Sequence, residues 1–284
     1  MHFFRQILFP LFIPMSWLYG CTIWVRNQFY NFGWIKTTSF DKPVISVGNI
    51  TSGGTGKTPL VIYLAQLLLK NGKKPGIISR GYGRKSQGIQ IVHDGKKLLI
   101  DAKTSGDEPC LMARVLEKVP VVVCEDRSRG IRQLLDYYSV NVIIMDDSFQ
   151  HRKVKRDLDI VTISANEKHG NYWLIPKGNL REPLKNMKRA NLVIYTKTEN
   201  YNTPAIHSKI HPLIKVKQIN SSLVSVLMKY NISGYHKSLV PEKSMFAFCG
   251  IADPNSFINL ALELGLKIEG RRLFRDHQDY TKEV

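Results

Sequence analysis

The sequence of 284 residues is short of acid: 23 Asp and Glu stand against 41 Lys and Arg, a net charge of +18. It is also short of cysteine. The four, Cys21, Cys110, Cys124 and Cys249, are far apart and form no C-x-x-C pair. That excludes a disulfide scaffold and a cysteine zinc site, and predicts reduced thiols in a cytosol-facing protein. No internal repeat or low-complexity tract is present, which argues against a solenoid and against disorder. The hydrophobic content of 43% is enough for a packed core. A cationic excess suits nucleic acid, an anionic membrane surface or a phosphorylated substrate. No nucleic-acid module accompanies it, and the cations are spread over loops, so nucleic acid is the weakest of the three.

Charge is missing altogether from residues 7–25, ILFPLFIPMSWLYGCTIWV. Nineteen such residues are just long enough to cross a bilayer as a helix. Pro10, Pro14 and Gly20 predict an irregular one. No small-residue cleavage site comes after it, which disfavours a signal peptide. A transmembrane anchor and an interfacial helical hairpin remain equally open, with a buried core helix behind them. Trp17, Tyr19, Trp24, Tyr30 and Trp34 suit the water–lipid boundary. Arg26, Lys36 and the later cations place the rest of the chain on the cytoplasmic side.

From residue 43 short apolar runs alternate with helical patterns. Strands are predicted at 44–47, 75–79, 121–123, 140–145, 158–163 and 192–195, helices at 57–71, 109–116 and 127–138, and a hairpin at 89–100. This order implies an α/β fold of phosphate-loop type, a mainly parallel sheet with helices on both faces. After residue 200 the pattern weakens. Two extended strands in 210–232, a strand at 245–249 and a helix at 254–264 suggest a second, smaller α/β lobe. The expected organisation is a membrane-associated segment at 1–35, a kinase-type domain at 36–205, a strand linker at 206–235 and a second lobe at 236–284.

The stretch GNITSGGTGKTP, residues 48–59, holds most of the pattern G-x-x-x-x-G-K-[ST]. Thr51 fills the first glycine position. A strand precedes it and a helix comes after, as a phosphate cradle requires. Backbone N–H groups of Ser52, Gly53, Gly54, Thr55 and Gly56 can surround phosphate, with the helix N-terminus adding positive potential. Lys57 can reach the β and γ oxygens, and Thr58 can hold Mg²⁺. Asp146 and Asp147 end an apolar strand, where a carboxylate can position the same ion. In SGDEP, residues 105–109, the acids Asp107 and Glu108 are read most simply as the start of a helix. His277 alone is unremarkable. Arg80 and Tyr82 in SRGYGR, Arg127 in EDRSR and Arg181 in LREP lie beside glycine, proline or acid, which suits fixed loops that clamp phosphate.

In this order GNITSGGTGKTP, SRGYGR, SGDEP, EDR, DDSFQHRKVKRDLDI, LIPKGNLREP, a run ending YTK, and FRDHQDY resemble the tetraacyldisaccharide 4′-kinase family over nearly the whole chain. No one motif is specific; the combination is. The resemblance implies ATP-dependent phosphorylation of the 4′-hydroxyl of a lipid A disaccharide precursor at the cytoplasmic face of a bacterial inner membrane. It implies ATP and Mg²⁺ as cofactors and an acylated disaccharide as partner, with no obligate protein partner. Asp107 would take the hydroxyl proton with His277 tuning it, and Glu108 would join Thr58, Asp146 and Asp147 around the metal. Ser148 departs from the family's usual DDGFQH, which predicts a differently shaped loop. The chain stops soon after Tyr280, and a further C-terminal segment is expected. A membrane-bound NTPase or a nucleotide-regulated membrane scaffold remains the alternative.

Overall fold

The computed structural model describes residues 2–165 and 172–197, and beyond them 217–220, 228–231, 234–237, 244–250, 254–263 and 265–274, with the backbone alone for 2–11, 217–220, 228–231, 234–237, 256, 260 and 263. The chain divides into two compact units, Met1–Ser222 and Leu223–Val284.

The first unit is built on an eight-stranded sheet. Its strands are β1 (Val44–Asn49), β2 (Pro75–Ser79), β3 (Gln90–Asp94), β4 (Pro120–Val123), β5 (Val142–Met145), β6 (Leu158–Ser164), β7 (Leu192–Thr196) and β8 (Lys217–Asn220). The order is β3-β4-β2-β5-β1-β6-β7-β8, and every pair is parallel except β3 with β4. The predicted hairpin is reduced to a turn: β3 pairs with β4, and its return arm makes only the His93–Leu98 bridge.

Alternation along the strands divides the core between the two faces of the sheet, as a period of two dictates. Ile77, Val121, Val123 and Ile144 join Val61, Ala65 and Met112 on one face. Those partners belong to α2 (Lys57–Lys70) and to α4 (Asp107–Val115), which comes after the short α3 (Ala102–Ser105). Ile78, Val122, Ile143 and Met145 meet Ile131 and Leu134 of α5 (Arg127–Tyr137) on the other face. Both sides of β2, β4 and β5 are thus buried, which is why they read as unbroken apolar runs. α2 ends as its sequence predicts. Gly72 takes φ 71°, and the Lys73 N–H closes on the Leu68 carbonyl at 2.9 Å, the αL-type cap that glycine permits.

α1 runs from His2 to Asn31 as one continuous helix, which corrects the expectation of an irregular segment. Pro10 and Pro14 are four residues apart, so the two backbone bonds they delete fall on one stripe and the rest of the ladder persists. Gly20 is a contact point rather than a break: a Cβ there would stand 2.8 Å from Leu174 Cδ1. Ser16 Oγ donates to the Leu174 carbonyl at 2.9 Å, and Arg152 donates to the Asn27 carbonyl at 3.0 Å and to Asn31 Oδ1 at 2.9 Å. Trp17, Leu18, Trp24, Phe32 and Trp34 stay exposed. Among the described residues no helix is long and apolar enough to cross a membrane.

The second unit pairs β9 (Met228–Asn231) with β10 (Gly234–Lys237) antiparallel. It also pairs β11 (Met245–Cys249) with β12 (Ile268–Leu273) parallel around α6 (Pro254–Glu263).

Candidate active site

β1 and β5 are neighbours in register, Ser46 opposite Met145. The loop that leaves β1 and the acids that leave β5 therefore emerge side by side at the carboxyl edge of the sheet, the usual binding crevice of open α/β folds.

The glycine-rich loop is tied down at its entry. Thr51 is buried and extended, and forms an antiparallel bridge with Leu180. The Ser52 N–H donates to the Asn179 carbonyl at 2.7 Å, and the Arg181 N–H to the Ile50 carbonyl at 2.8 Å. A bridged, extended position accepts a β-branched residue, so the missing first glycine has a structural reason. The glycines that are required come later, Gly53 at φ 119° and Gly56 at φ 76°. Thr55 is fixed from beneath: its hydroxyl meets that of Thr162 at 2.8 Å, and its carbonyl accepts from Thr196 Oγ1 at 3.0 Å. α2 then opens at Lys57 with no side-chain cap and no acid in its first turn. Its first N–H groups and its dipole are left to an anion.

Asp146 is fully buried. One carboxylate oxygen accepts from Ser79 Oγ at 2.8 Å, while the other has no hydrogen-bond partner. Burial, the charge of Glu108 and that of Asp147 push its pKa up to about 7. Asp147 has the opposite balance. Burial would raise it, but Lys57 and Arg181 outweigh burial and hold it below the usual carboxylate range. Lys57 Nζ lies 3.5 Å from Asp147 Oδ1, and Arg181 Nη1 donates to both carboxylate oxygens at 2.9 and 3.0 Å. Asp147 itself has φ 44°, a left-handed conformation that Asp tolerates. Ser148, by contrast, has no positive φ. It is buried, donates to the Met145 carbonyl at 2.9 Å and meets Ser46 Oγ at 3.1 Å. The serine therefore fits this turn without needing the backbone freedom of glycine.

Arg127, expected in a fixed loop that clamps phosphate, is buried at the start of α5. It donates to the carbonyls of Cys124 and Glu125 at 3.3 and 3.4 Å, and its Nε has no partner. Burial lowers its pKa, while Asp146 and Asp147 oppose that. Its guanidinium is held by backbone carbonyls, with its charge coupled to both acids. Burial, together with the charge of Arg127, pushes nearby His151 down to about 4.

Asp107 and Glu108 form the first turn of α4, as the simplest reading of SGDEP requires. The loop before them touches SRGYGR backbone to backbone. A Cβ on Gly81 would stand 2.5 Å from the Ser105 carbonyl oxygen, and one on Gly106 2.9 Å from that of Tyr82. Arg80, Tyr82 and Asp107 are exposed at this junction. Arg84 closes the loop from behind, bonded to Ser86, Gly88 and Glu125.

Electrostatic and hydrogen-bond contacts thus unite Lys57, Glu108, Asp146, Asp147, Arg127 and Arg181, while Thr58 comes directly after Lys57 in α2. Arg80 and Tyr82 lie on the neighbouring loop, and Asp107 at the start of α4 beside it. His277 lies outside the described residues. Ser79, which fixes Asp146, was not singled out from the sequence; a serine ending an apolar strand carries no distinctive signal.

The donors suit Mg²⁺. Among the described residues no group of three or more His, Cys, Asp or Glu could enclose a metal. Mg²⁺ does not need such a cage, because one or two oxygens with water and phosphate suffice. The unpartnered Asp146 oxygen offers one hard ligand, and the Thr58 hydroxyl a second.

Together the loop, the lysine and the acids define a phosphate-loop nucleotide-binding enzyme of the phosphotransferase class. The sequence profile of the family described as tetraacyldisaccharide-1-P 4′-kinase matches residues 8–284, and the chain belongs to that family. The tetraacyldisaccharide 4′-kinase of Chlorobium luteolum is 36% identical over 275 residues, which span 94% of this chain and 78% of the relative. The enzyme of the same name from Chlorobium phaeobacteroides is 39% identical over 276 residues, spanning 94% and 78%. The crystal structure of LpxK from Aquifex aeolicus in complex with ATP superposes with a TM-score of 0.82 at 36% identity, covering 98% of this chain and 84% of that one.

Proposed function

We propose that the chain transfers the γ-phosphoryl group of ATP to the 4′-hydroxyl of a tetraacyldisaccharide 1-phosphate, giving the bisphosphorylated lipid and ADP. Family membership supports the reaction. The structural observation that carries it is Lys57 poised against Asp147 beside an Asp146 oxygen with no partner.

The geometry suggests the roles. N–H groups from Gly53 to Thr58 hold the β- and γ-phosphates, and Gly53 and Gly56 turn the backbone toward them. Lys57 neutralises charge on the oxygens between which the phosphoryl group passes. Its ion pair with Asp147 aims the ammonium before nucleotide arrives. Mg²⁺, when bound, neutralises phosphate charge and orients the leaving group; Thr58 and Asp146 would hold it, with Glu108 close behind. Asp107, exposed on the first turn of α4, accepts the proton of the sugar hydroxyl as that oxygen attacks phosphorus. The resemblance to the family would add His277 as the group that orients Asp107 or tunes its charge. Arg80 and Tyr82 face the acceptor beside Asp107, and Arg127 supplies fixed positive potential behind the acids.

The lipid substrate places the enzyme at the cytoplasmic face of the inner membrane. The apolar residues left exposed on α1, Trp17, Leu18 and Trp24 among them, support interfacial docking there.

Mass spectrometry of an acylated glucosamine disaccharide after incubation with ATP is the direct test. A gain of one phosphate on the non-reducing sugar is expected. ATP hydrolysis that is the same with and without the lipid, and no lipid product, would make the protein a membrane-bound NTPase instead.

A further inference from the structure

α1 reaches further into the molecule than a membrane anchor requires. Tyr19 Oη donates to the carbonyl oxygen of Arg181 at 2.9 Å. The side chain of that same Arg181 holds both oxygens of Asp147, and Asp147 in turn holds Lys57. Next along the chain, Glu182 is fully buried among four donors. Arg26 and Asn27 reach it from α1, both at 3.4 Å. Asn186 and Arg189 reach it from the turn after it, at 2.7 and 3.0 Å. A buried carboxylate so satisfied fixes its own backbone, because losing any one donor leaves charge uncompensated. The residues on either side of the Arg181–Glu182 peptide therefore face opposite ways, one into the phosphate site and one into the root of α1.

We infer that Tyr19 and Glu182 are positioning residues, and that the seating of α1 sets the aim of Arg181, and through Asp147 that of Lys57. The helix that meets the lipid surface then also tunes the phosphate site, and an enzyme with α1 unseated has a poorly aimed lysine. The inference rests on the kinase reading for its principal assay but not for its logic, since nucleotide affinity reports the same coupling.

The test uses the full chain in mixed micelles at saturating lipid, so that surface partition does not limit the rate. Tyr19→Phe removes one hydroxyl and keeps the ring. It should lower kcat about five-fold, the worth of one such hydrogen bond. It should weaken ATP binding in the same direction, and leave the KM for lipid and sedimentation with anionic vesicles unchanged. Glu182→Gln, which keeps the shape but removes the charge facing Arg26 and Arg189, should give the same signature. The Arg181→Ala background separates positioning from mere stability. The Arg181 carbonyl survives there, so Tyr19→Phe should still lower the melting temperature, yet cost less than about two-fold in kcat. Losses that multiply in the double variant would overturn the inference. So would a defect confined to lipid KM or vesicle binding, or no defect at all. If the wild type makes no phosphorylated disaccharide, the kinase reading fails; the same five proteins then test the coupling by ATP affinity alone.

Discussion

Replacing Thr51 by glycine would restore the general phosphate-loop consensus, and it should make the protein worse. Thr51 is buried, extended and bridged to Leu180, and only later loop positions have positive φ. Glycine in an extended segment loses more backbone entropy on folding, roughly 0.5–1 kcal/mol relative to alanine. Removing a buried methyl costs about 0.8 kcal/mol more. The expected loss is about 1–2 kcal/mol, or roughly 2–8 °C in melting temperature for a domain of this size. Nothing is gained at the site, because the N–H groups that face phosphate lie downstream of the bridge. The assay is thermal unfolding beside ATP binding by calorimetry. A variant of unchanged stability that binds ATP several-fold more tightly would refute the reasoning, and would mean that the bridge to Leu180 holds the loop in a compromised shape.

Lys57→Ala should abolish turnover while the protein stays folded by circular dichroism, since the lysine acts mainly on charge that migrates in the transition state. Asp107→Ala should lower kcat about 10²–10⁴-fold with little change in ATP affinity; if His277 works through it, the Asp107→Ala, His277→Ala double variant should be scarcely slower than the slower single one in steady-state assays. The depressed pKa of His151, about 4, means that the unfolded chain binds an extra proton between that value and about 6.5, so this group's contribution is full above that window and is lost as pH falls through it. Urea unfolding from pH 4 to 8 should therefore show stability falling with acid, and a steeper fall in His151→Gln than in the parent would contradict that assignment.

The parallel sheet was legible because strands buried on both faces must be apolar throughout, as Val142–Met145 and Pro120–Val123 are. The phosphate loop was legible because its chemistry demands glycine, lysine and threonine within a few residues. Contacts between distant segments were not. Arg181 finds Asp147 across 34 residues, and Glu182 finds Arg26 across 156; neither pair has a spacing that marks it. The doublet Asp146-Asp147 reads as two equivalent acids, and only their partners separate them, one starved of donors and the other paired with Lys57 and Arg181. α1 was misjudged because proline counts against a helix locally, whereas its middle and C-terminal turns are held by Leu174, Arg181, Glu182 and Arg152, which no local window contains. The burial of Arg127 was invisible for the same reason.

The contact between Gly81 and Gly106 joins main chain to main chain, with no side chain between to cushion it. Such a joint has no slack. A side chain can swing to absorb a shift of an ångström; two peptide groups already touching cannot. SRGYGR and SGDEP are therefore geared together. On the proposed roles, a sugar that drew Arg80 and Tyr82 inward would move the first turn of α4 too, and Asp107 with it. The same gearing limits what selection can vary. A longer loop or a bulkier residue on either side would displace the proposed proton acceptor along with the proposed sugar-binding tips, so on this reading new acceptors would be reached by changing the exposed tips at Arg80 and Tyr82 and leaving the axle between them alone.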